Sequence, residues 1–285
     1  MIHAGDWVVF RDARGNEWLS LIKEDDKLDT HKGVVFFKDV VSKHYGTLLP
    51  YSKGSGHLLL LEPRLDQIQR GMLHRTNILY DENTSIMVFK ANIRRGSRVL
   101  EIGTGSGGLT LYLATHLYEP PQHANYPGGW PPIVSVDISE KHQYAARKNL
   151  KDFGLGHLID FRVGDVQKDS IFVDSDFRTF DAAFVDVMTP WEVLDAIHKL
   201  VKPGKSVLVF VPNWGQIEQT VQKAEEKQFF VLEVFELFRR PMIVDAIKHV
   251  TRPLTRAIVY SGVIIHLICL ASPEKIASPT SPPLI

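Results

Sequence analysis

A chain of 285 residues with 44% hydrophobic side chains can bury a full core and leaves room for a main domain plus a small one. Its 33 basic and 33 acidic side chains cancel, so net charge gives no argument for a nucleic-acid partner and any basic surface must be local. Cys269, the single cysteine, excludes a disulfide framework and a cysteine-based zinc site, and no apolar run reaches the length of a membrane span. Met1 to Phe10 lacks the layout of a signal peptide, and an intracellular protein is expected, in the nucleus, cytoplasm or mitochondrion if the source is eukaryotic.

Residues 1–61 carry short alternating apolar runs (Trp7 to Phe10, Trp18 to Ile22, Gly33 to Phe37) separated by Asp-, Gly- and Lys-bearing turns, which predicts a small antiparallel β module. Thr30-His31-Lys32-Gly33 lies in one of those turns, with solvated charges. Residues 62–97 read as a helical linker, with Leu65, Ile68, Met72 and Leu73 on one face. His74 to Tyr80 interrupts it, and a helix resumes over Ser85 to Ala91. Tyr80, flanked by Ile78 and Leu79, is compatible with ordinary core.

The centre of the chain is Arg98 to Thr110. A β-prone run (Val99, Leu100, Ile102) breaks into four glycines within six positions and then into helical spacing, which predicts strand, tight turn and helix. Such a loop lets backbone approach a ligand and aims free N–H groups at it, and Gly103, Gly105 and Gly108 satisfy the dinucleotide fingerprint. Glu101, an acid inside the strand, disfavours an NAD enzyme, as does the lack of a recognisable hydride-transfer set.

Tyr118 to Pro132 reads as an inserted surface loop. Strand Ile133 to Val136 ends in Asp137, ahead of a helix opened by Ser139. An acid there can accept both ribose hydroxyls of a nucleotide, or simply cap the helix. A third strand, His157 to Val163, closes at Gly164-Asp165. Phe180 to Val185 reads as a strand buried on both faces that delivers Asp186 to its carboxyl end. Thr189, Pro190 and Glu192 predict a capping box that leaves Asp186 free. Lys202 to Lys205 reads as a turn into strand Ser206 to Val211, a helix runs to Lys227, and strands follow over Phe229 to Phe238 and Arg256 to Leu270. Between the last two, Arg239, Arg240, Lys248, His249, Arg252 and Arg256 form either a solvated linker or a phosphate-contacting stripe. Residues 98–271 thus form the main domain, and 272–285, rich in Ser and Pro, a disordered tail.

Val-Leu-Glu-Ile-Gly-Thr-Gly-Ser-Gly resembles motif I of the class I S-adenosylmethionine-dependent methyltransferases. With Thr30-His31-Lys32-Gly33, His74 to Tyr80, Asp186 to Trp191 and Pro212-Asn213-Trp214-Gly215-Gln216 in the same order, the chain resembles the tRNA (adenine(58)-N1)-methyltransferases, catalytic-subunit type. The resemblance implies an α/β class I methyltransferase, a Rossmann-like, mostly parallel seven-stranded sheet behind a small β module, acting on N1 of the T-loop adenosine of tRNA. It implies S-adenosylmethionine held by Glu101, Gly103, Thr104, Gly105, Ser106, Gly107, Asp137, Asp165 and Asp186, with Asp186 and Tyr80 lining the base pocket and no metal. Gln216, Arg239, Arg240, Arg252 and Arg256 are the expected tRNA-side residues. A homotetramer, or a hetero-oligomer with a non-catalytic paralogous subunit, is implied as the assembly. Three departures from the family pattern stand out: Asn77 in place of a glutamine, Tyr260-Ser261-Gly262 in place of His-Thr-Gly, and the long insertion at 118–132. Other class I methyltransferases, of isoaspartyl or small-molecule type, share the glycine loop but need neither Asp186 with Pro190-Trp191 nor the β module. A non-catalytic tRNA-binding subunit tends to lose the glycine loop, which is intact here.

Overall fold

The computed structural model describes residues 1–117, 131–255 and 260–271. The expectations for 118–130, for Arg256 and for the 272–285 tail lie outside the described residues. The chain divides into two compact units, Met1–Met72 and Leu73–Ile285.

The first unit is all antiparallel: β1 (Trp7–Arg11), β2 (Glu17–Leu21), β3 (Lys27–Thr30), β4 (Gly33–Phe36), β5 (Leu48–Pro50), β6 (Lys53–Gly54) and β7 (His57–Leu61). They form one sheet in the order β2-β1-β7-β5 and another in the order β3-β4-β6. Val8, Phe10, Ile22, Val35, Phe37, Leu58 and Leu60 fill its core. A short helix, α1 (Leu65–Gly71), ends the unit and packs on β2. The β3–β4 turn is Thr30 to Gly33. Its Lys32, expected in solvent, pairs with the buried Asp12 at 2.8 Å and so ties this turn to the one after β1.

The second unit opens on α2 (Asp81–Lys90), which starts four residues earlier than the sequence suggests because Asp81 and Glu82 supply first-turn acids that favour a helix N-terminus. Then follow β8 (Val99–Ile102), α3 (Gly108–Leu117), β9 (Ile133–Asp137), α4 (Glu140–Asp152), β10 (Ile159–Val163), β11 (Phe180–Val185), α5 (Pro190–Leu200), β12 (Val201–Val211), α6 (Trp214–Glu226), β13 (Phe229–Glu236), β14 (Met242–Asp245), β15 (Val250–Pro253) and β16 (Val263–Cys269). Seven strands pair in the order β10-β9-β8-β11-β12-β16-β13, with β16 the antiparallel member. This is the mostly parallel seven-stranded sheet that the sequence resemblance implies. Its strands are nearly continuous Val, Ile, Leu and Phe because both faces are covered.

Two segments differ from the sequence reading. Lys202 to Lys205 does not separate two elements; it bulges within β12, where Phe180 pairs with Val201 and Ala182 with Ser206. The cation-bearing stretch is not a plain linker but a hairpin, β14–β15, with Met242, Val244, Ile247 and Val250 exposed on it. Among the described residues no helix is long and apolar enough to cross a membrane.

Away from the sheet's carboxyl edge, the fully buried Asp176 accepts from Arg98 Nη2 (2.7 Å), Arg162 Nη1 (2.6 Å) and Val173 N (2.9 Å), while the Arg98 guanidinium lies over the Phe180 ring. Burial pushes this carboxyl up, but the bonds from Arg162, Val173 and Arg98 outweigh it and hold it below its ordinary range. Asp176→Ala leaves two arginines without their buried counter-charge. It should cost about 3 kcal/mol, the lower end for breaking a buried pair. Urea denaturation checks it, and a loss below about 1 kcal/mol, the level of an exposed pair, would show the network to be dispensable.

Candidate active site

Parallel register sets the site. Ile102 pairs with Val136 and with Val185, so the chain leaves β8, β9 and β11 along one row and the residues just past that row, Gly103, Asp137 and Asp186, share the carboxyl edge. Ligands bind at that edge in open α/β sheets. One position back, Glu101 is the register partner of Ser135 and Phe184.

The glycine loop is required by close approach. Gly103 has φ +95°, and a Cβ there would lie 2.1 Å from the Asp186 carbonyl oxygen; Gly105, at φ +55°, would put one 2.8 Å from Thr76 Oγ1. The second contact comes from a strap: Arg75 N and Thr76 N donate to Ser106 Oγ (2.8 and 3.0 Å), and Ser106 N donates to Thr76 Oγ1 (3.1 Å). The His74 to Tyr80 segment is thereby fastened to the loop. Four residues beyond Thr76, Tyr80 stands just before α2 at 45% exposure, so it is not core.

Glu101 is fully buried. Donors converge on it in a chain: Gln143 Nε2 donates to Thr104 Oγ1 (2.9 Å), Thr104 to Ser135 Oγ (2.6 Å), and Ser135 to Glu101 Oε2 (2.6 Å), which also accepts from Thr110 Oγ1 (2.7 Å). Its other oxygen, Oε1, is buried with no hydrogen-bond partner among the described residues. Burial pushes the Glu101 carboxyl up to about 7, and the charges of Asp186 and Asp137 push the same way against the bonds from Ser135 and Thr110.

Asp137 accepts three bonds, from Gly105 N at Oδ2 (2.9 Å) and from Ser139 N (2.8 Å) and His142 Nδ1 (3.2 Å) at Oδ1. It therefore both caps the α4 entry and shapes the glycine loop. A carboxylate has about four lone-pair sites, so one on Oδ2 is left for a ligand hydroxyl. Gly164 N donates to Asp137 O (3.0 Å), which places Gly164-Asp165 beside it; the Asp165 side chain accepts from Gln167 N (3.0 Å).

Asp186 is partly buried, and among the described residues no donor satisfies its carboxylate, which burial and then Asp137 push up to about 6. The expected capping box after it does not form. Thr189 makes no side-chain bond to the α5 backbone, and its hydroxyl donates instead to Glu192 Oε2 (2.8 Å). Asp186 is still spared, because this closure excludes it.

Gln216 is buried and engaged at both ends, Nε2 donating to Met188 O (2.7 Å) and Oε1 accepting from Asn213 N (3.2 Å). Of the cationic stripe, Arg239 pairs with Glu82 and Asp81, Lys248 pairs with Asp245 (3.4 Å), and Arg252 donates to Pro253 O and Thr255 Oγ1. Among the described residues the Arg240 side chain has no partner. Thr76, Thr110, Ser135, His142, Gln143 and Asn149, whose amide bonds Ser106 O and Leu73, escaped the sequence reading. Of these Thr110 sits inside the glycine motif and Thr76 inside the His74 to Tyr80 motif; the rest carry no local signature.

Asp137 and Asp186 share one edge with Glu101 just behind it, the charge of Asp137 raises the proton affinity of the other two, and among the described residues no lysine or arginine pairs with any of the three. The arrangement suits a cationic ligand that offers N–H and hydroxyl donors. With Glu101 protonating more readily in the folded chain than in the unfolded one, its contribution to stability is full below the unfolded value and is lost as pH rises through about 7. The ligand-free protein should therefore lose thermal stability between pH 5.5 and pH 8, with a smaller loss in Glu101→Gln. Equal slopes in the two proteins, read by differential scanning calorimetry, would contradict the burial of a charge here.

The family model described as tRNA methyltransferase complex GCD14 subunit matches residues 55–259, and one described as TrmI-like N-terminal matches 1–49. A tRNA (adenine(57)-N(1)/adenine(58)-N(1))-methyltransferase of Methanocaldococcus jannaschii is 28% identical over 279 residues, 89% of this chain and 91% of that protein. A tRNA (adenine(58)-N(1))-methyltransferase of Thermus thermophilus is 26% identical, over 81% of this chain and 84% of its own. Among solved structures, the tRNA (m1A58) methyltransferase of Aquifex aeolicus superposes with TM-score 0.79 at 25% identity, over 95% of this chain and 99% of that one. A Thermotoga maritima structure titled SAM-dependent O-methyltransferase gives TM-score 0.83, also at 25%, over 96% of both chains.

Proposed function

The chain belongs to the family described as tRNA methyltransferase complex GCD14 subunit, and from that premise we propose that it is the catalytic enzyme that methylates N1 of adenosine 58 in tRNA, the reaction its relatives are named for. The observation that carries the reading is the unsatisfied carboxylate of Asp186 at the carboxyl edge of β11.

S-adenosylmethionine supplies an activated methyl on a sulfonium. Its positive charges match the acid cluster and its ribose the free lone pair of Asp137, with Glu101 acting through its charge from behind the loop. Glu101, Gly103, Thr104, Gly105, Ser106 and Gly107 would hold the methionine part, Asp137 the ribose, Asp165 the adenine amino group, and Asp186 the side facing the target. Serine and threonine here act mainly by fixing Glu101 and the strap.

Adenine N1 carries its own lone pair, so no residue has to deprotonate it. The ring becomes cationic as it is methylated, and Asp186, accepting from the exocyclic amino group, stabilises that charge more in the transition state than in the ground state. The target edge is the Watson–Crick edge, so the base must leave its stack. Tyr80, exposed and rooted through the Thr76 strap, is its stacking platform. Among the described residues Arg240 and Arg252 are hairpin-region arginines that pair with no carboxylate, and with Arg239, Lys248 and Arg256 they would meet the tRNA backbone. The exposed Met242, Val244 and Ile247 fit coverage by another subunit, in a homotetramer or in a hetero-oligomer with a paralogous chain.

Asp186→Asn keeps the shape and removes the charge. Single-turnover methylation of a tRNA transcript at saturating cofactor should slow at least about tenfold, equivalent to 1.36 kcal/mol. Nucleoside analysis identifies the product. Parental rates in the variant, or a product other than N1-methyladenosine, would overturn this reading.

A further inference from the structure

Asp186 opens a loop, residues 186–189, whose path is pinned at two points. At the first, Asp186 N donates to Ile102 O (2.9 Å), and Gly103 leaves no room for a side chain against Asp186 O. At the second, the Met188 carbonyl accepts from Gln216 Nε2 (2.7 Å). Between them Val187 packs against the core, but the Met188 side chain is 85% exposed and Thr189 bonds only ahead, to Glu192, so the Met188 carbonyl has Gln216 as its side-chain partner.

The amide of Gln216 cannot turn round. Its Oε1 accepts from Asn213 N (3.2 Å) while its own backbone N donates to Asn213 Oδ1 (3.1 Å), so the reciprocal cap of α6 consumes the oxygen end and aims the NH2 end at the loop. Helix α6 is seated on the sheet by the buried Thr220 and Ala224, so the tether is anchored in rigid structure.

We propose that Gln216 is a positioning residue for methyl transfer, holding the Met188 carbonyl so that the Asp186 carboxylate faces the base. The inference rests on the function proposed above. Because no hydrogen bond from the described residues orients the Asp186 carboxylate, its direction is set by the backbone alone, and misplacement of about 1 Å at a reacting centre can cost on the order of a hundredfold in rate.

The test separates orientation from capping and from tRNA contact. Gln216→Glu keeps an acceptor for Asn213 N but loses the donor to Met188 O. Gln216→Met loses both polar ends at similar volume, and serves if the glutamate variant folds poorly. Asn213→Ala removes only the cap to Gln216 N, because the backbone N that orients the amide remains. Single-turnover methylation of a tRNA transcript should slow about tenfold or more in both Gln216 variants, with KM for tRNA and cofactor affinity within about twofold, and stay parental in Asn213→Ala. The acid limb of the pH–rate profile should move in Gln216→Glu, as it would not for a lost cap. Parental rates in both Gln216 variants, an equal loss in Asn213→Ala, or a raised KM for tRNA at an unchanged single-turnover rate would each overturn the inference. A parent that forms no N1-methyladenosine fails the functional reading and this inference with it. A parent that forms it while the Gln216 variants match it fails this inference alone.

Discussion

Three carboxylates on adjacent strands, with no lysine or arginine paired to them among the described residues, are the constraint on which the rest of the second unit depends. Glu101, Asp137 and Asp186 are brought together by parallel register, and like charges at low dielectric resist that placement. The fold answers with directed donors. A relay from Gln143 through Thr104 and Ser135 ends on one oxygen of Glu101, and the backbone of Gly105 and Ser139 ends on Asp137. What remains among the described residues is one buried oxygen of Glu101 and the carboxylate of Asp186, both without a hydrogen-bond donor.

The same logic explains why so much backbone is fastened around the edge. The strap from Arg75-Thr76 to Ser106 and the amide of Asn149 on Ser106 O hold the glycine loop from outside. Each uses a side chain the sequence assigned to the ligand, or did not assign at all. Preorganised dipoles are effective because they need not reorganise when charge develops, and a loop with three left-handed glycines would otherwise be the least ordered part of the site.

The main strands, the glycine loop and the acids at strand ends were legible because their signals are local: β-prone runs, a cluster of glycines, an acid closing an apolar run. Long-range partners were not legible. Ser135 meets Glu101 only through strand register, and Gln143 and Asn149 are polar residues inside a helix of which the sequence marks only the start, at Ser139. The bulge at Lys202 to Lys205 looked like a turn because Pro and Gly mark both, and only pairing on either side tells them apart. Thr189 and Glu192 have the spacing of a capping box, yet their side chains satisfy each other. The hairpin at 242–253 was hidden by its own exposure: alternating apolar residues that face no core within the chain read as a linker.

The central claim is that Glu101 and Asp186 are protonated in part without ligand and are ionised by a cationic one. Calorimetric titration with S-adenosylmethionine at pH 6.5, repeated in buffers of different ionisation enthalpy, measures it directly. The account predicts net release of roughly half a proton or more per cofactor bound, and less release with the uncharged thioether S-adenosylhomocysteine. Binding of S-adenosylmethionine with no proton release, or with uptake, would contradict it.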